Sequence, residues 1–231
     1  MCAAADNAHD PAADAVWTIV VAAGAGTRYG SLKQYEHLGD RRVIDWALEA
    51  ARSVSEGVVL VVPPDAASRQ EKGVDAVVPG GTTRSASVRA GLAAVPHEVE
   101  VVVVHDGARP LAPIALFQTV IDAIRNGADA AIPGVTPAAT IKRVDAKHKN
   151  RVAETLDRSE LVEVQTPQAF RASALRAAHE DEPDATDDAA LIEACGGEVV
   201  VVAGDPSNLK LTHPADLDVA RALLAARSAS A

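Results

Sequence analysis

Short runs of aliphatic residues recur along the chain and alternate with amphipathic stretches. The runs fall at residues 17–22, 58–62, 74–78, 99–104, 128–133 and 198–203. They are rich in β-branched residues and nearly continuous, a pattern typical of strands buried on both faces of a mostly parallel sheet. The intervening stretches predict helices over residues 43–55, 84–95, 113–126, 173–182, 187–195 and 214–227.

This alternation of strands and helices predicts an α/β fold, with helices on both faces of the sheet, in one domain over residues 16–231. Residues 137–165 break the pattern, because two short apolar stretches flank a polar, charged knot at residues 145–150. That segment predicts a β-hairpin, which is either a surface excursion or an arm that reaches a partner subunit. In open α/β sheets, ligands bind beyond the carboxyl ends of the strands. Residues that directly follow each aliphatic run are therefore the first candidates for a site.

Composition limits the classes of function. A chain of 231 residues is long enough to bury one sizeable core. Aromatic residues make up only 3%, so Val, Leu, Ile and Ala must form that core. The net charge of −10 and the scattered Lys and Arg residues argue against nucleic-acid binding.

The cysteines and the amino terminus give further expectations. Cys2 and Cys195 are too few for a disulfide framework or a zinc site, and Cys195 lies in an apolar helical run, which predicts a buried side chain. No segment approaches the roughly 20 apolar residues of a membrane span. Residues 1–15 lack the basic start and apolar run of a secretory signal. We expect a disordered tail at residues 1–15 and a cytoplasmic protein without membrane contact.

The loop after the first run is rich in small residues. It reads AAGAGTRYG at residues 22–30, and Lys33 and Gln34 follow. Small residues let the backbone approach a polyphosphate, whose oxygens then accept hydrogen bonds from successive N–H groups, and Arg28 and Lys33 add positive charge. The loop is neither a Walker A loop nor a dinucleotide fingerprint, since its third glycine falls one residue late. The alternative is a turn that serves tight packing.

Two further loops carry candidate chemistry. Gly80 and Gly81 precede a helix start rich in hydroxyl groups, where Ser87 is placed to read a base edge, or where Thr82 or Thr83 caps the helix. His105 and Asp106 directly follow a run expected to form a central strand. An aspartate at that strand end suits Mg²⁺, which takes one or two carboxylates and completes its shell with phosphate oxygens and water. His105 is a weak acid–base candidate, because a lone histidine at a strand end is more often structural.

Two later positions are of interest. Lys210 follows the last run after a turn at Gly204 and Asp205, which makes it a third candidate cation at the phosphates. Thr186 is expected to cap a helix that has Asp187 and Asp188 in its first turn, where acidic residues suit the helix dipole.

The ordered motifs AAGAGTR…KQY, GG…R…SVRAGL, VHDGARP, TIKR, QTPQ, TDDA and NLKLT resemble a known family. The chain resembles the 2-C-methyl-D-erythritol 4-phosphate cytidylyltransferases of the non-mevalonate isoprenoid pathway from about Val20 to about Leu217. The resemblance implies a Rossmann-like nucleotidyltransferase fold, Mg²⁺, and transfer of CMP from CTP to the polyol phosphate with release of pyrophosphate. It also implies a homodimer, in which a hairpin arm at about residues 137–160 enters the partner's active site.

The resemblance also implies roles for individual residues. Those that stabilise the charged transition state are Arg28, Lys33 and Lys210. Those that bind CTP are Ala22, Ala23, Gly24, Ala25 and Gly26 at the phosphates, Gly81 and Ser87 at cytosine, and Asp106 and Gly107. Those around the polyol phosphate are Asp106, Arg109, Thr140, Arg158, Thr166 and Thr186, of which Thr140 and Arg158 lie on the arm. Asp106 also holds Mg²⁺.

Three positions depart from the family pattern. Val21 stands where many members have Pro, Thr82 where an acidic residue is frequent, and Ala139 where Asp is usual. Ala139 bears on the polyol side, so a ribitol 5-phosphate cytidylyltransferase stays open as an alternative, as does a transferase that uses UTP or GTP. A non-catalytic nucleotide sensor is disfavoured, because it would not need Arg28, Lys33, Asp106 and Lys210 together.

Overall fold

The computed structural model describes residues 15–24, 26, 29–30, 32–148 and 150–230, without the side chains of Ser228 and Ser230. Of the predicted tail at residues 1–15, only Ala15 is among the described residues. The helices are α1 Val43–Arg52, α2 Arg84–Ala93, α3 Ile114–Arg125, α4 Ala172–Ala178, α5 Ala189–Ala194 and α6 Ala215–Ser230. The strands are β1 Val16–Val21, β2 His37–Leu38, β3 Arg41–Arg42, β4 Gly57–Val62, β5 Ala76–Pro79, β6 Val101–Asp106, β7 Ala130–Val135, β8 Lys142–Val144, β9 Val152–Thr155, β10 Glu163–Val164, β11 Gln168–Arg171 and β12 Val199–Ala203.

An eight-stranded sheet organises the described part of the chain. Its strand order is β10-β7-β11-β6-β1-β4-β5, and β12 pairs with β7. The pairs β1–β4, β1–β6, β4–β5 and β7–β12 are parallel, whereas β10 and β11 run antiparallel to their neighbours. The predicted α/β fold with a mostly parallel sheet is confirmed, and so is the central position of β6.

Helices cover both faces of the sheet. Successive residues of a strand point to opposite faces, so Val20 packs into the cluster that includes Phe117 of α3, while Ile19 packs into the cluster that includes Val88 of α2 and Leu175 of α4. All six residues of β4 and of β6 are buried. Burial on both faces explains why these runs show no alternation with polar residues.

A two-stranded hairpin, β8–β9, leaves the main sheet, as the sequence predicts. Every residue of both strands is exposed. At the tip, Asp145 Oδ1 accepts hydrogen bonds from the backbone N–H groups of Lys147 and His148. At the base, Arg158 Nη1 donates to the carbonyl of Ala138 over 2.8 Å. The polar knot therefore forms a turn stabilised by its own side chains.

Several expectations about local structure are wrong. Cys195 is exposed, because α5 ends at Ala194 and Cys195 lies at its C-cap. Thr186 does not cap α5; Asp188 is the N-cap residue, and the Asp187 side chain accepts from the N–H of Ala190. The short antiparallel strand β11 was not predicted.

None of the helices within the described ranges is both long and apolar enough to cross a membrane.

Candidate functional site

A cavity of about 450 Å³ opens beyond the carboxyl ends of β1 and β6. This is the expected location for a ligand in an open α/β sheet, and the volume suits a small molecule. Four segments line the cavity: the loop after β1, the start of α2, the end of β6, and the stretch that contains Lys210 and Thr212. Three candidate loops that are distant in sequence therefore meet at one place.

The loop after β1 is fixed where it leaves the strand. The N–H of Ala22 donates to the carbonyl of Val61, and Gln34 Nε2 donates to the carbonyl of Ala22, each over 2.8 Å. Gln34 is almost fully buried, so its amide supports the loop from within the protein. The predicted residues Ala22, Ala23, Gly24, Gly26 and Lys33 line the cavity. The predicted residues Ala25 and Arg28 lie outside the described residues.

The start of α2 approaches this loop closely because glycines precede it. A Cβ atom on Gly80 would lie 2.3 Å from Cβ of Ala23, and a Cβ on Gly81 would lie 2.4 Å from Cβ of Ala86. Thr83 caps the helix through its Oγ1, which accepts from the N–H of Ala86. Ser87 Oγ donates to the carbonyl of Thr83 over 2.9 Å and also faces the cavity. Helix capping and a ligand-facing hydroxyl thus occur together here.

Asp106 ends β6 at the cavity wall, and only 7% of it is exposed. Its Oδ2 atom lies 2.8 Å from Nζ of Lys210 and 3.4 Å from Nε of Arg109. Burial raises the pKa of Asp106, but Lys210, Arg84 and Arg109 lower it more strongly, and the net pKa lies well below its usual range. Asp106 is therefore a carboxylate at every physiological pH.

An ionised carboxylate at the cavity wall fits the donor set of Mg²⁺, which prefers oxygen ligands. The described residues contain no group of three or more His, Cys, Asp or Glu side chains that could hold a metal ion. An ion beside Asp106 would thus take its other ligands from phosphate oxygens and water, as Mg²⁺ commonly does.

His105 is fully buried behind the cavity wall. Nε2 of His105 lies 3.2 Å from the carbonyl oxygen of Arg109, which can only accept, so Nε2 is the donor. Nδ1 of the neutral ring then accepts the hydrogen of Thr166 Oγ1 over 3.2 Å, and Thr166 Oγ1 in turn accepts from the N–H of Asp106 over 3.0 Å. Burial lowers the pKa of His105 to about 4, which keeps the ring neutral near pH 7. These contacts indicate that His105 supports the cavity wall and does not act as an acid or a base in catalysis.

Asn208 joins the loops that carry Arg109, Thr166 and Lys210. Its carbonyl accepts from Nη1 of Arg109 over 2.7 Å, and its Nδ2 donates to the carbonyl of Thr166 over 2.8 Å. The side chain of Gln165 lies 3.3 Å from the same Nδ2. Because Lys210 follows two residues later, this buried network fixes where Lys210 leaves the sheet edge.

The remaining predicted residues are not all gathered here. Gly107 donates its N–H to the carbonyl of Val21 and thereby holds the end of β6 to β1. Arg109 and Thr166 contact Asp106 without lining the cavity. Thr140, Arg158 and Thr186 are exposed and lie outside the cavity lining. Thr140 and Arg158 flank the β8–β9 hairpin, whereas Thr186 lies between α4 and α5.

Comparison with known proteins places this site in a family. The model of the 2-C-methyl-D-erythritol 4-phosphate cytidylyltransferases matches residues 16–226. The chain belongs to this family. A cytidylyltransferase of that name from Streptomyces coelicolor is 42% identical over 229 residues, which cover 90% of this chain and 84% of the relative. Another from Streptomyces avermitilis is 38% identical and covers 96% of each chain.

A solved structure agrees with the sequence comparison. The 2-C-methyl-D-erythritol 4-phosphate cytidylyltransferase from Thermus thermophilus superposes with a TM-score of 0.76 at 34% identity, over 90% of this chain and 98% of that one. The predicted family and the predicted nucleotidyltransferase class are thus confirmed.

Arg84 is a charged residue of the cavity that sequence reasoning missed. It opens α2, lines the cavity, and forms an ion pair with Asp188. The GG…R…SVRAGL motif contained it, but the sequence offered no partner for it. The support that Gln34 and Asn208 give to the loops was missed for the same reason, since each acts through contacts between distant segments.

Proposed function

We propose that this chain transfers CMP from CTP to 2-C-methyl-D-erythritol 4-phosphate, giving 4-diphosphocytidyl-2-C-methyl-D-erythritol and pyrophosphate for isoprenoid precursor biosynthesis. The observation that carries the proposal is one cavity in which the glycine-rich loop, the start of α2 and the Asp106–Lys210 pair converge, in a member of that family.

The cavity offers separate regions for the parts of CTP. The backbone of Ala23, Gly24 and Gly26, together with Lys33, lines the part of the cavity that suits the triphosphate. Gly81 and Ser87, at the start of α2, present backbone and hydroxyl groups to the same cavity, and there we place cytosine. This division follows the predicted roles of these residues, which all line the one cavity.

The reaction needs charge stabilisation rather than a base. The second pKa of a phosphate monoester is about 6, so the acceptor phosphate is mostly a dianion at pH 7. One of its oxygens attacks the α-phosphorus of CTP in line, the bond from the α-phosphorus to the bridging oxygen breaks, and pyrophosphate leaves. Repulsion between the two anions opposes the approach. Lys33 and Lys210 lower that barrier electrostatically, and Arg28 is assigned the same role by the resemblance.

We assign Mg²⁺ as the metal and Asp106 as the protein residue that would hold it. The ion supplies positive charge that neutralises phosphate oxygens during the transfer. Lys210, at 2.8 Å from Oδ2, keeps the carboxylate ionised and oriented toward the cavity.

We further propose a homodimer of domains that span residues 16–231, joined through the arm at residues 137–160. Thr140 and Arg158 are exposed and lie outside the cavity lining of their own chain, as expected of an arm that contacts the polyol phosphate bound to a partner. Val144 and Val152 pair across the hairpin and are 50% and 60% exposed. A partner subunit that covers this apolar pair would remove it from water.

Release of pyrophosphate tests the proposed reaction. The purified chain is incubated with CTP, Mg²⁺ and methylerythritol 4-phosphate, in parallel with ribitol 5-phosphate as acceptor and with UTP as donor. We expect rapid release only with CTP and methylerythritol 4-phosphate. Release only with ribitol 5-phosphate would move the protein to another pathway, and no release with any pair would overturn the proposal.

A further inference from the structure

Hydrogen bonds that involve side chains link the segment at residues 183–188, between α4 and α5, to the start of α2. Thr83 Oγ1 donates to Oδ1 of Asp184 over 2.6 Å. The N–H of Ala185 donates to Oγ of Ser85 over 3.1 Å. The same segment carries Thr186, which is predicted to contact the acceptor. The nucleotide wall and the acceptor segment therefore form one connected unit.

A buried ion pair lies at the centre of this unit. Arg84 Nη1 lies 2.5 Å from Oδ2 of Asp188, and His179 Nε2 lies 3.1 Å from Oδ1 of the same carboxylate. Asp188 is 0% exposed and His179 is 4% exposed. A carboxylate buried to this degree is stable only when it is paired and hydrogen-bonded. Arg84 and His179 together meet that requirement.

Besides its ion pair with Asp188, Arg84 contributes to the wall of the nucleotide cavity. Its side chain lines the nucleotide cavity and interacts electrostatically with Asp106, the carboxylate that would hold the metal ion beside the phosphates. Asp188 accepts a hydrogen bond from one guanidinium nitrogen, Nη1 of Arg84. A guanidinium carries five N–H donors in a rigid fork, so this one bond does not use all of them. Burial lowers the pKa of Arg84, but Asp188 and Asp106 raise it more, so the group stays charged. A charged fork at the wall of a phosphate site matches the geometry of phosphate oxygens.

We propose that Arg84 contacts phosphate oxygens of the bound nucleotide, and that Asp188 is a positioning residue that holds the Arg84 guanidinium at the cavity wall. This inference rests on the proposed function and adds a cation to the predicted set of Arg28, Lys33 and Lys210. Asp188 is the N-cap residue of α5 and the last residue of the segment at residues 183–188, so the same ion pair also holds that segment against the nucleotide cavity.

A double-mutant cycle tests whether Asp188 acts through Arg84. The variants are Arg84→Met, Asp188→Asn and the double variant, each assayed for kcat and KM with CTP and with the acceptor. We expect kcat/KM for CTP to fall about 10- to 100-fold in each single variant, the range for a charge-assisted hydrogen bond. The double variant should be no worse than Arg84→Met, since a positioning residue has no effect once its target is absent.

Ser85→Ala is the matched control. It removes a hydrogen bond between α2 and the same segment, but Ser85 does not line the cavity. If the network were merely structural, Ser85→Ala and Asp188→Asn would lower the melting temperature and kcat/KM in the same proportion. We expect Ser85→Ala to lower only the melting temperature. Arg84→Lys, which keeps the charge without the fork, should restore part of the kcat/KM lost in Arg84→Met.

Calorimetric titration with CTP and Mg²⁺ separates this proposal from the proposed reaction. If the wild-type protein binds CTP but shows no turnover, the reaction is wrong, and the affinities of Arg84→Met and Asp188→Asn for CTP still test the contact. Wild-type affinity and kcat/KM in Arg84→Met would overturn the inference. So would additive losses in the double variant. If Asp188→Asn does not fold, the comparison of Arg84→Lys with Arg84→Met decides.

Discussion

Asp106 shows how neighbours determine the chemistry of a single side chain. Only 7% of it is exposed, and burial alone would favour the neutral acid. Lys210 at 2.8 Å and Arg109 at 3.4 Å reverse that preference. The result is a permanent anion at the wall of a cavity that also holds cations. Such a group can bind a metal ion or a hydroxyl group, and it has little affinity for the proton of a nucleophile.

Lys33 is the most direct residue to test. Lys33→Ala should lower kcat by about 10²- to 10³-fold, because a cation that stabilises developing charge acts mainly in the transition state. The affinity for CTP, measured by calorimetry, should weaken less. Lys72→Ala is the control, since Lys72 is exposed and outside the cavity lining, and its turnover should equal that of the wild type. Turnover of Lys33→Ala within a few-fold of wild type would remove Lys33 from the catalytic set.

Sequence reasoning could place Lys33, Asp106 and Lys210 at the cavity because each lies at the end of a strand or in the segment that follows one. It could not find the role of Arg84, since its partner Asp188 lies 104 positions away. Position relative to a strand is a local signal, whereas an ion pair between the starts of two helices depends on how those helices pack. The residues that support the site are therefore harder to predict than those that line it.

At the scale of elements, the glycines before α2 determine how closely the helix approaches the glycine-rich loop. Gly80→Ala should destabilise the protein by about 1–3 kcal/mol, the range for overpacking, because the new Cβ would lie 2.3 Å from Cβ of Ala23. Urea unfolding measures the change. Ala23→Gly combined with Gly80→Ala should recover part of the loss, since it removes the closest clashing atom. A double variant as unstable as the sum of the single variants would show that Ala23 is not the source of the strain.

The start of α6 depends on a carboxylate. Asp216 Oδ2 accepts from the N–H of Thr212 over 2.6 Å and of His213 over 2.7 Å. Burial raises the pKa of Asp216, but these backbone hydrogen bonds, together with the charges of His213 and Lys33, outweigh it, and the net pKa is lowered. A lowered pKa stabilises the folded state above the unfolded-state pKa of about 3.9, and this contribution is lost as pH falls toward the folded-state value.

Asp216→Ala should therefore lower the free energy of unfolding by about 1 kcal/mol at pH 7, and by less as the pH approaches 4. Urea unfolding at several pH values gives the difference from wild type at each pH. Asp216→Asn is the matched variant, because it keeps an acceptor oxygen but cannot titrate. A wild-type advantage over Asp216→Ala that grows on acidification would contradict the assigned sign.

The strands differ in how well sequence predicted them, for a physical reason. The strands β4 and β6 are buried on both faces, so their apolar runs are unmistakable. The strand β11 has only four residues, and two of them, Gln168 and Arg171, are polar. It occupies the centre of the sheet between β6 and β7 because its backbone completes their hydrogen bonding. Pairing of this kind leaves no periodic signal in so short a segment.

At the scale of the whole molecule, the main question is whether the β8–β9 hairpin acts on the cavity of its own chain or on that of a partner. The β8–β9 strands are exposed throughout, and Arg158 at their base lies away from the cavity of its own chain. In the proposed dimer, a catalytic cavity and the arm that completes it would belong to different chains. In a two-fold dimer each site would combine Lys33 of one chain with Arg158 of the other.

Purified heterodimers test this arrangement directly. One protomer carries Lys33→Ala and its partner carries Arg158→Ala, with a different affinity tag on each. If the arm acts across the interface, one site receives both lesions and the other receives neither, so the heterodimer should have about half of the wild-type activity. If the arm acts within its own chain, both sites are damaged and activity is lost. The reciprocal control places both lesions in one protomer beside a wild-type partner. That heterodimer should be inactive if the arm crosses, and half active if it does not, so a general loss of stability cannot imitate the expected pair of results.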